Sequence, residues 1–154
     1  MRSEARANAL VLAGSAALLG GALLSQFVGG LFPCEMCYWQ RWPHLAAIAL
    51  GLLAWALGSN RALTALAAIA VLVSGAIGVF HAGVEYHWWE GVTTCTATPV
   101  TGTTSEVLGS IMATPLIRCD AAQWTLFGIS LAGYNAILSG LIGGGALWLL
   151  RKPR

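Results

Sequence analysis

The sequence predicts an all-α integral membrane protein, a four-transmembrane-helix bundle with both termini cytoplasmic and two outward loops that carry every cysteine. Three observations predict it. Of the 154 residues, 57% are hydrophobic and only 9% charged, where a soluble domain has roughly a quarter charged. Uncharged runs cover Ala7–Cys34, His44–Asn60, Ala62–Val84 and Ala121–Leu150, each near or above the ~17 to 25 residues that let a helix cross hydrocarbon. The third observation is where the charges fall. Arg2, Arg6, Arg61, Arg151, Lys152 and Arg154, with Glu4 as the one acid among them, give the termini and the turn after the second run a net +5. The other two loops hold Glu35, Glu85, Glu90, Glu106 and Asp120 against Arg41 and Arg118, a net −3. Basic flanks stay cytoplasmic, so the acidic loops face outward.

The chain reads as a single membrane domain, 1–154, with spans at about 9–31, 43–59, 62–82 and 122–150 and outward loops at about 32–42 and 83–121. The first span is expected to remain as a helix, because its apolar run exceeds the ~7 to 15 residues of a cleaved signal core. The second is the shortest, with Trp42 and Trp55 placed to anchor it at the two interfaces. "GSNR", Gly58–Arg61, is short enough only for an antiparallel return into the third span. Spans one and four are rich in Gly, Ala and Ser at three- and four-residue spacings, such as Gly140 and Gly144, which predicts close helix packing. In the long second loop, Val107, Leu108, Ile111 and Met112 fall at helical spacing after Ser105, a candidate cap. An amphipathic helix lying on the outer leaflet is expected there.

Cys34, Cys37, Cys95 and Cys119 all fall in the outward loops, on the oxidising side of a bacterial-type cell. A structural staple suits the separation of Cys95 and Cys119. It does not suit Cys34 and Cys37, whose short ring constrains the unfolded chain little. A zinc knuckle needs a second C-x-x-C, and a c-type haem needs histidine where Tyr38 stands. No metal and no nucleic-acid partner is expected. Thiol–disulfide exchange remains, and its nucleophile is a thiolate favoured by a nearby cation or a helix N-terminus. Pro43 suits the first turn of the second span, so the pair is expected at or just before a helix start. Arg41 lies four residues after Cys37; the two share a face if that stretch is helical. With no haem, flavin or iron-sulfur motif in the chain, the two-electron acceptor left in a bilayer is a quinone.

"PCEMCYWQRWP" after one span, a short basic turn, "GVFHAGVEYHWWEG" ending the third span, one cysteine soon after, and "RCDAAQWTLFGISLAGYN" opening the fourth together resemble the DsbB family of bacterial disulfide bond formation proteins. The resemblance implies a quinone-dependent thiol oxidase of the inner membrane, with its cysteine loops in the periplasm, that reoxidises a DsbA-like thioredoxin-fold partner. It implies that Cys95 and Cys119 meet the partner and that Cys34 and Cys37 pass electrons to ubiquinone or menaquinone. Cys95 would form the mixed disulfide and Cys119 would attack Cys34, releasing Cys37 as a thiolate. Arg41 would stabilise that thiolate and the quinone, and His81 falls near the family's quinone-side histidine. His44 and His87 are read as structural. Two alternatives stand beside this reading. One is a disulfide-stapled assembly protein. The other is an oxidoreductase resembling vitamin K epoxide reductase, in which the quinone-side C-x-x-C comes late in the chain.

Overall fold

Among the described residues, four long helices form because the chain offers four long apolar stretches broken at Gly, Pro and Asn, and in the computed structural model they assemble as a bundle. The structure describes residues 2–92, 103–105, 108–109 and 117–151. Helix α1 covers Arg2–Phe27, α2 Glu35–Ala56, α3 Arg61–Glu85 and α4 Leu131–Arg151, with a two-stranded hairpin, β1 Thr125–Leu126 and β2 Ile129–Ser130, ahead of α4. Helix α3 packs chiefly on α4 and α2, and α1 on α2 and α4, so α1 and α3 sit on a diagonal. Helices α1, α3 and α4 are long and apolar enough to cross a membrane. Helix α2, with Glu35, Arg41 and His44 in its first half, falls below that mark.

The α2–α3 return is built as expected. Gly58 and Ser59 take positive φ of 73° and 65°, and the Asn60 side chain caps α3 by accepting from Leu63 N at 3.1 Å. The start of α2 differs from expectation. Pro43 lies well inside the helix, which begins instead at an N-cap supplied by Cys34. Proline lacks the N–H that closes the ladder one turn back, and the Ser74 hydroxyl from α3 donates to the nearby Gln40 carbonyl at 2.8 Å. The stretch before α4 also differs, since 125–130 is a hairpin and not the start of a helix. Phe127 and Gly128 at its tip both have positive φ, 50° and 76°, the geometry of a two-residue hairpin turn. Ser130 then caps α4 by accepting from Gly133 N at 3.1 Å.

One core cluster joins Ala7, Val11, Ala47, Ala67, Ala68, Val71, Ala146 and Leu150, all essentially buried. Small residues allow the close approach, but not the pair singled out by spacing. Gly140 and Gly144 look onto open space, whereas a Cβ on Gly143 would stand 2.6 Å from Leu72 Cγ and 3.0 Å from the Ala68 carbonyl oxygen. The contact faces are set by the helix phases, which spacing alone does not reveal. Of the residues expected in the outer-leaflet helix, Val107, Ile111 and Met112 lie outside the described residues, and Leu108 is exposed.

Candidate active site

The C-x-x-C begins a helix. Cys34 holds an extended conformation after Pro33, and its sulfur accepts from the Cys37 backbone N–H at 3.4 Å. That places Cys37 in the first turn of α2, where unpaired N–H groups favour negative charge. The two sulfurs lie 3.1 Å apart as hydrogen-bonded thiols. The hydrogen bond to Cys37 pushes the Cys34 thiol up to about 12, with burial adding to it, and the same bond received from Cys34 holds Cys37 below the usual thiol value. Of the pair, Cys37 is the more exposed and the better thiolate.

Residues 37–41 are helical, so Cys37 and Arg41 do share a face. The guanidinium nevertheless reaches across to α1, donating to Gln26 Oε1 at 2.6 Å and to the Ala22 carbonyl at 3.3 Å, and stacks on Tyr38 with 5.2 Å to the ring centroid. Its cation is thereby fixed beside the dithiol and outside direct contact with it. His81, from the last turns of α3, is buried, with Nε2 at 3.4 Å from Cys34 Sγ and 3.7 Å from Glu85 Oε1. On its other side Nδ1 meets Gln40 Nε2 at 2.8 Å.

Cys119 comes from the far loop into the same buried cluster as Cys34, Met36 and Val84, with Cys37 and Phe80 against it. Two contacts steady its segment. The Gln123 amide donates to the Phe32 carbonyl just before the C-x-x-C, and Arg118 forms a two-pronged pair with Asp120 that holds this carboxyl at about 2. Cys95, the fourth expected site residue, lies outside the described residues.

A cavity of about 420 Å³ opens beside the dithiol, among α1, α2, α4 and the hairpin. Cys34, Cys37, Arg41, His81 and Glu85 line its polar end, and Leu18, Ala22, Phe32, Trp124 and Leu138 are among its apolar walls. The residues fit a flat, mostly apolar ring with polar edges. Cys34, Cys37 and His81 also present ligand atoms within 4.8 Å of one another, donor types that a soft metal takes, though a closed site needs a fourth.

Sequence reasoning missed Gln40, Glu85 and Asn135. Glu85 was counted as a loop acid but ends α3 with its side chain 8% exposed. Asn135 donates to Gln40 Oε1 at 2.8 Å and accepts at Oδ1 opposite His44 Nε2 at 3.0 Å. His44, read as structural, is therefore part of this polar web and lines the cavity. The available signal was His44 and Asn135, polar residues inside apolar spans, where such groups need partners, with Gln40 one helical turn before His44.

Comparison with known proteins places the chain in a family. The family model described as "Disulfide bond formation protein DsbB" matches residues 4–149. The chain is 28% identical over 153 residues to "Disulfide bond formation protein B" of Verminephrobacter eiseniae (strain EF01-2), covering 92% of this chain and 83% of that one. It is 30% identical over 161 aligned positions to the protein of the same name from Polaromonas naphthalenivorans (strain CJ2), covering 96% and 91%. No solved structure matches it. A dithiol at a helix start, a third cysteine folded against it and a family match spanning almost every residue lead to one identification: the chain belongs to the DsbB family and is a disulfide bond formation membrane protein.

Proposed function

We propose that the protein is a quinone-dependent thiol oxidase of the bacterial inner membrane that reoxidises a DsbA-like periplasmic dithiol protein. The observation that carries this reading is the cavity in which Cys37 and Arg41 meet apolar walls reaching down α1 and α4. A quinone held there supplies a two-electron, two-proton acceptor that dissolves in the bilayer. The charge segregation supports four spans with the termini inside, with Cys34, Cys37, Cys95 and Cys119 on the outer side.

In this reading a partner thiolate attacks the Cys95–Cys119 disulfide at Cys95, and the partner's second thiol then displaces Cys95. The partner leaves oxidised, and Cys95 and Cys119 are left reduced. Cys119 attacks Cys34, breaking the Cys34–Cys37 bond and releasing Cys37 as the thiolate that the helix start favours. Cys95 closes back on Cys119 and frees Cys34. Arg41 and His81 hold negative charge at the polar end of the cavity. DsbA-type partners are themselves strong oxidants, which is why the final acceptor must pull harder than another dithiol.

The test is anaerobic. Purified protein is given reduced partner and ubiquinone-1 or a menaquinone analogue, and the ring's absorbance is followed with the loss of partner thiols. One ring reduced per partner disulfide formed is the expected result, with Cys37→Ser falling to background. No thiol consumption with either quinone sinks the oxidase reading and favours the stapled assembly protein.

A further inference from the structure

Two backbone carbonyls fix which way the buried side-chain amides point, and through them which nitrogen of each histidine carries the proton. A carbonyl only accepts. The Gln40 amide sits 3.2 Å from the Met36 carbonyl oxygen, so its nitrogen faces that oxygen. The second N–H of the same nitrogen is then directed at His81 Nδ1, 2.8 Å away, and Nδ1 must be the lone pair.

Asn135 reinforces the arrangement from α4. The Ser74 hydroxyl gives its proton to the Gln40 carbonyl, so towards Asn135 it only accepts. One N–H of Asn135 is shared between the Ser74 hydroxyl at 3.1 Å and the Ser74 carbonyl at 3.2 Å, and the other goes to Gln40 Oε1 at 2.8 Å. Turning the Gln40 amide over would set its oxygen against the Met36 carbonyl and its NH2 against the NH2 of Asn135. The Asn135 oxygen accepts from Ser139 Oγ at 3.0 Å and, on its other side, from His44 Nε2. His81 is thus a neutral ring with the proton on Nε2, and His44 likewise carries a proton on Nε2, in a buried web whose orientations depend on one another.

We propose that Gln40 and Asn135 are positioning residues that lock His81 as an Nε2–H donor aimed at the Cys34 sulfur. The groups facing the His81 ring are Cys34 and Gln40 from the start of α2, Glu85 from its own helix and the Cys119 backbone from the far loop. With Nδ1 already receiving a hydrogen bond, the ring gives a hydrogen bond to sulfur and does not act as a base towards the thiols. A donor held at Cys34 steadies the negative charge that this sulfur gains when Cys95 closes back on Cys119 and Cys34 leaves as the thiolate. A metal bound at Nε2 would need the proton moved to Nδ1, where the Gln40 N–H already sits, so the lock also works against the soft-metal site that the three ligand atoms resemble.

The role in sulfur exchange rests on the oxidase reading, but the lock does not, and its test needs neither quinone nor partner. Nitrogen-15 NMR of histidine-labelled, reduced protein in detergent near neutral pH reads the tautomer directly. His81 is expected to carry its proton on Nε2 alone. Gln40→Glu, nearly the same size, sets a carboxylate oxygen against Nδ1 and is expected to draw a proton there. Asn135→Asp, which does not touch His81, is expected to change the His81 tautomer by turning Gln40 over. In a stopped-flow assay, Asn135→Asp, which turns the Nε2 lone pair towards Cys34, is expected to slow release of Cys34 from its bridge to Cys119 by about ten- to a hundredfold, the range for a lost hydrogen bond to a charged group. A wild-type His81 with its proton on Nδ1 overturns the proposal, and so does an unchanged His81 signal in both variants. The wild-type spectrum decides the question even if a variant fails to fold.

Discussion

At the end of the bundle that holds both termini, Ala7, Val11, Ala47, Ala67, Ala68, Val71, Ala146 and Leu150 close on one another with almost no exposed surface. At the C-x-x-C end a cavity of about 420 Å³ opens, and Gln40, His44, His81 and Asn135 tie α2, α3 and α4 together beside it. The difference follows from what holds helices together in lipid, where tails are as apolar as leucine and no hydrophobic force drives the helices together. The closed end relies mainly on van der Waals contact, with the Asn8 amide donating to the Gly51 carbonyl at 2.9 Å between α1 and α2. The open end adds hydrogen bonds among α2, α3 and α4, where Gly75 and Gly78 still let α3 lie close on α4, and the cavity opens beside them. One end supplies stability and the other gives some up to keep a site.

The sharpest way to break this division is to insert volume at the closed end. Gly143→Leu would drive a side chain into Leu72 and the Ala68 carbonyl, and the backbone oxygen cannot turn away. A loss of about 1 to 3 kcal/mol is expected from overpacking, read as a lowered midpoint in denaturant titration of the purified protein. Partner oxidation per folded molecule should hold. Gly140→Ala, into open space, should stay within about 0.5 kcal/mol of wild type. Equal losses in the two variants would count against the contact faces described above.

A smaller effect is expected at the open end. Arg41→Lys keeps the cation but loses the fork that reaches both Gln26 and the Ala22 carbonyl. On the proposed oxidase reading, apparent quinone affinity should fall about tenfold, the worth of one charge-assisted hydrogen bond, with the proposed partner exchange at Cys95 little changed. Steady-state kinetics with each substrate varied in turn separates the two. A matched loss in both half-reactions would remove Arg41 from the quinone side.

Much of the closed end was legible in the chain, because the apolar runs and the Gly58–Asn60 turn are local features that specify their own structure. The small-residue faces were not. Gly140 and Gly143 are indistinguishable by composition, and only helix phase puts Gly143 at the contact. At the open end the place of the C-x-x-C at a helix start, with Arg41 on the same helix, was legible from local spacing. The Gln40–Asn135 bond joins residues 95 positions apart, and no single-chain pattern announces such a pair. The start of α2 was misjudged because Pro43 resembles a helix opener, whereas Cys34 acts as the cap.

The subtlest difference lies inside the C-x-x-C itself, between two thiols 3.1 Å apart. Both precede the apolar stretch of α2, yet one hydrogen bond splits them: Cys34 gives its proton towards Cys37 and is pushed up to about 12, while Cys37 receives it and is held below its ordinary value of 9.0. The lowered thiol stabilises the folded, reduced protein above 9.0, and that contribution disappears as pH falls through its depressed value. The raised thiol works in the opposite sense, with its contribution complete below 9.0 and lost as pH rises towards 12. Alkylation of the reduced protein with iodoacetamide, mapped by mass spectrometry across pH 5 to 10, should follow the same split. Cys37 should keep reacting several-fold faster than a free thiol below the usual ~8.5, and Cys34 should show no plateau within the range. Burial alone would slow Cys34 at every pH by one factor, so the shape of each profile, and not its height, carries the comparison. A Cys34 profile that levels off near neutral pH would reverse the assignment and make Cys34 the thiolate of the pair.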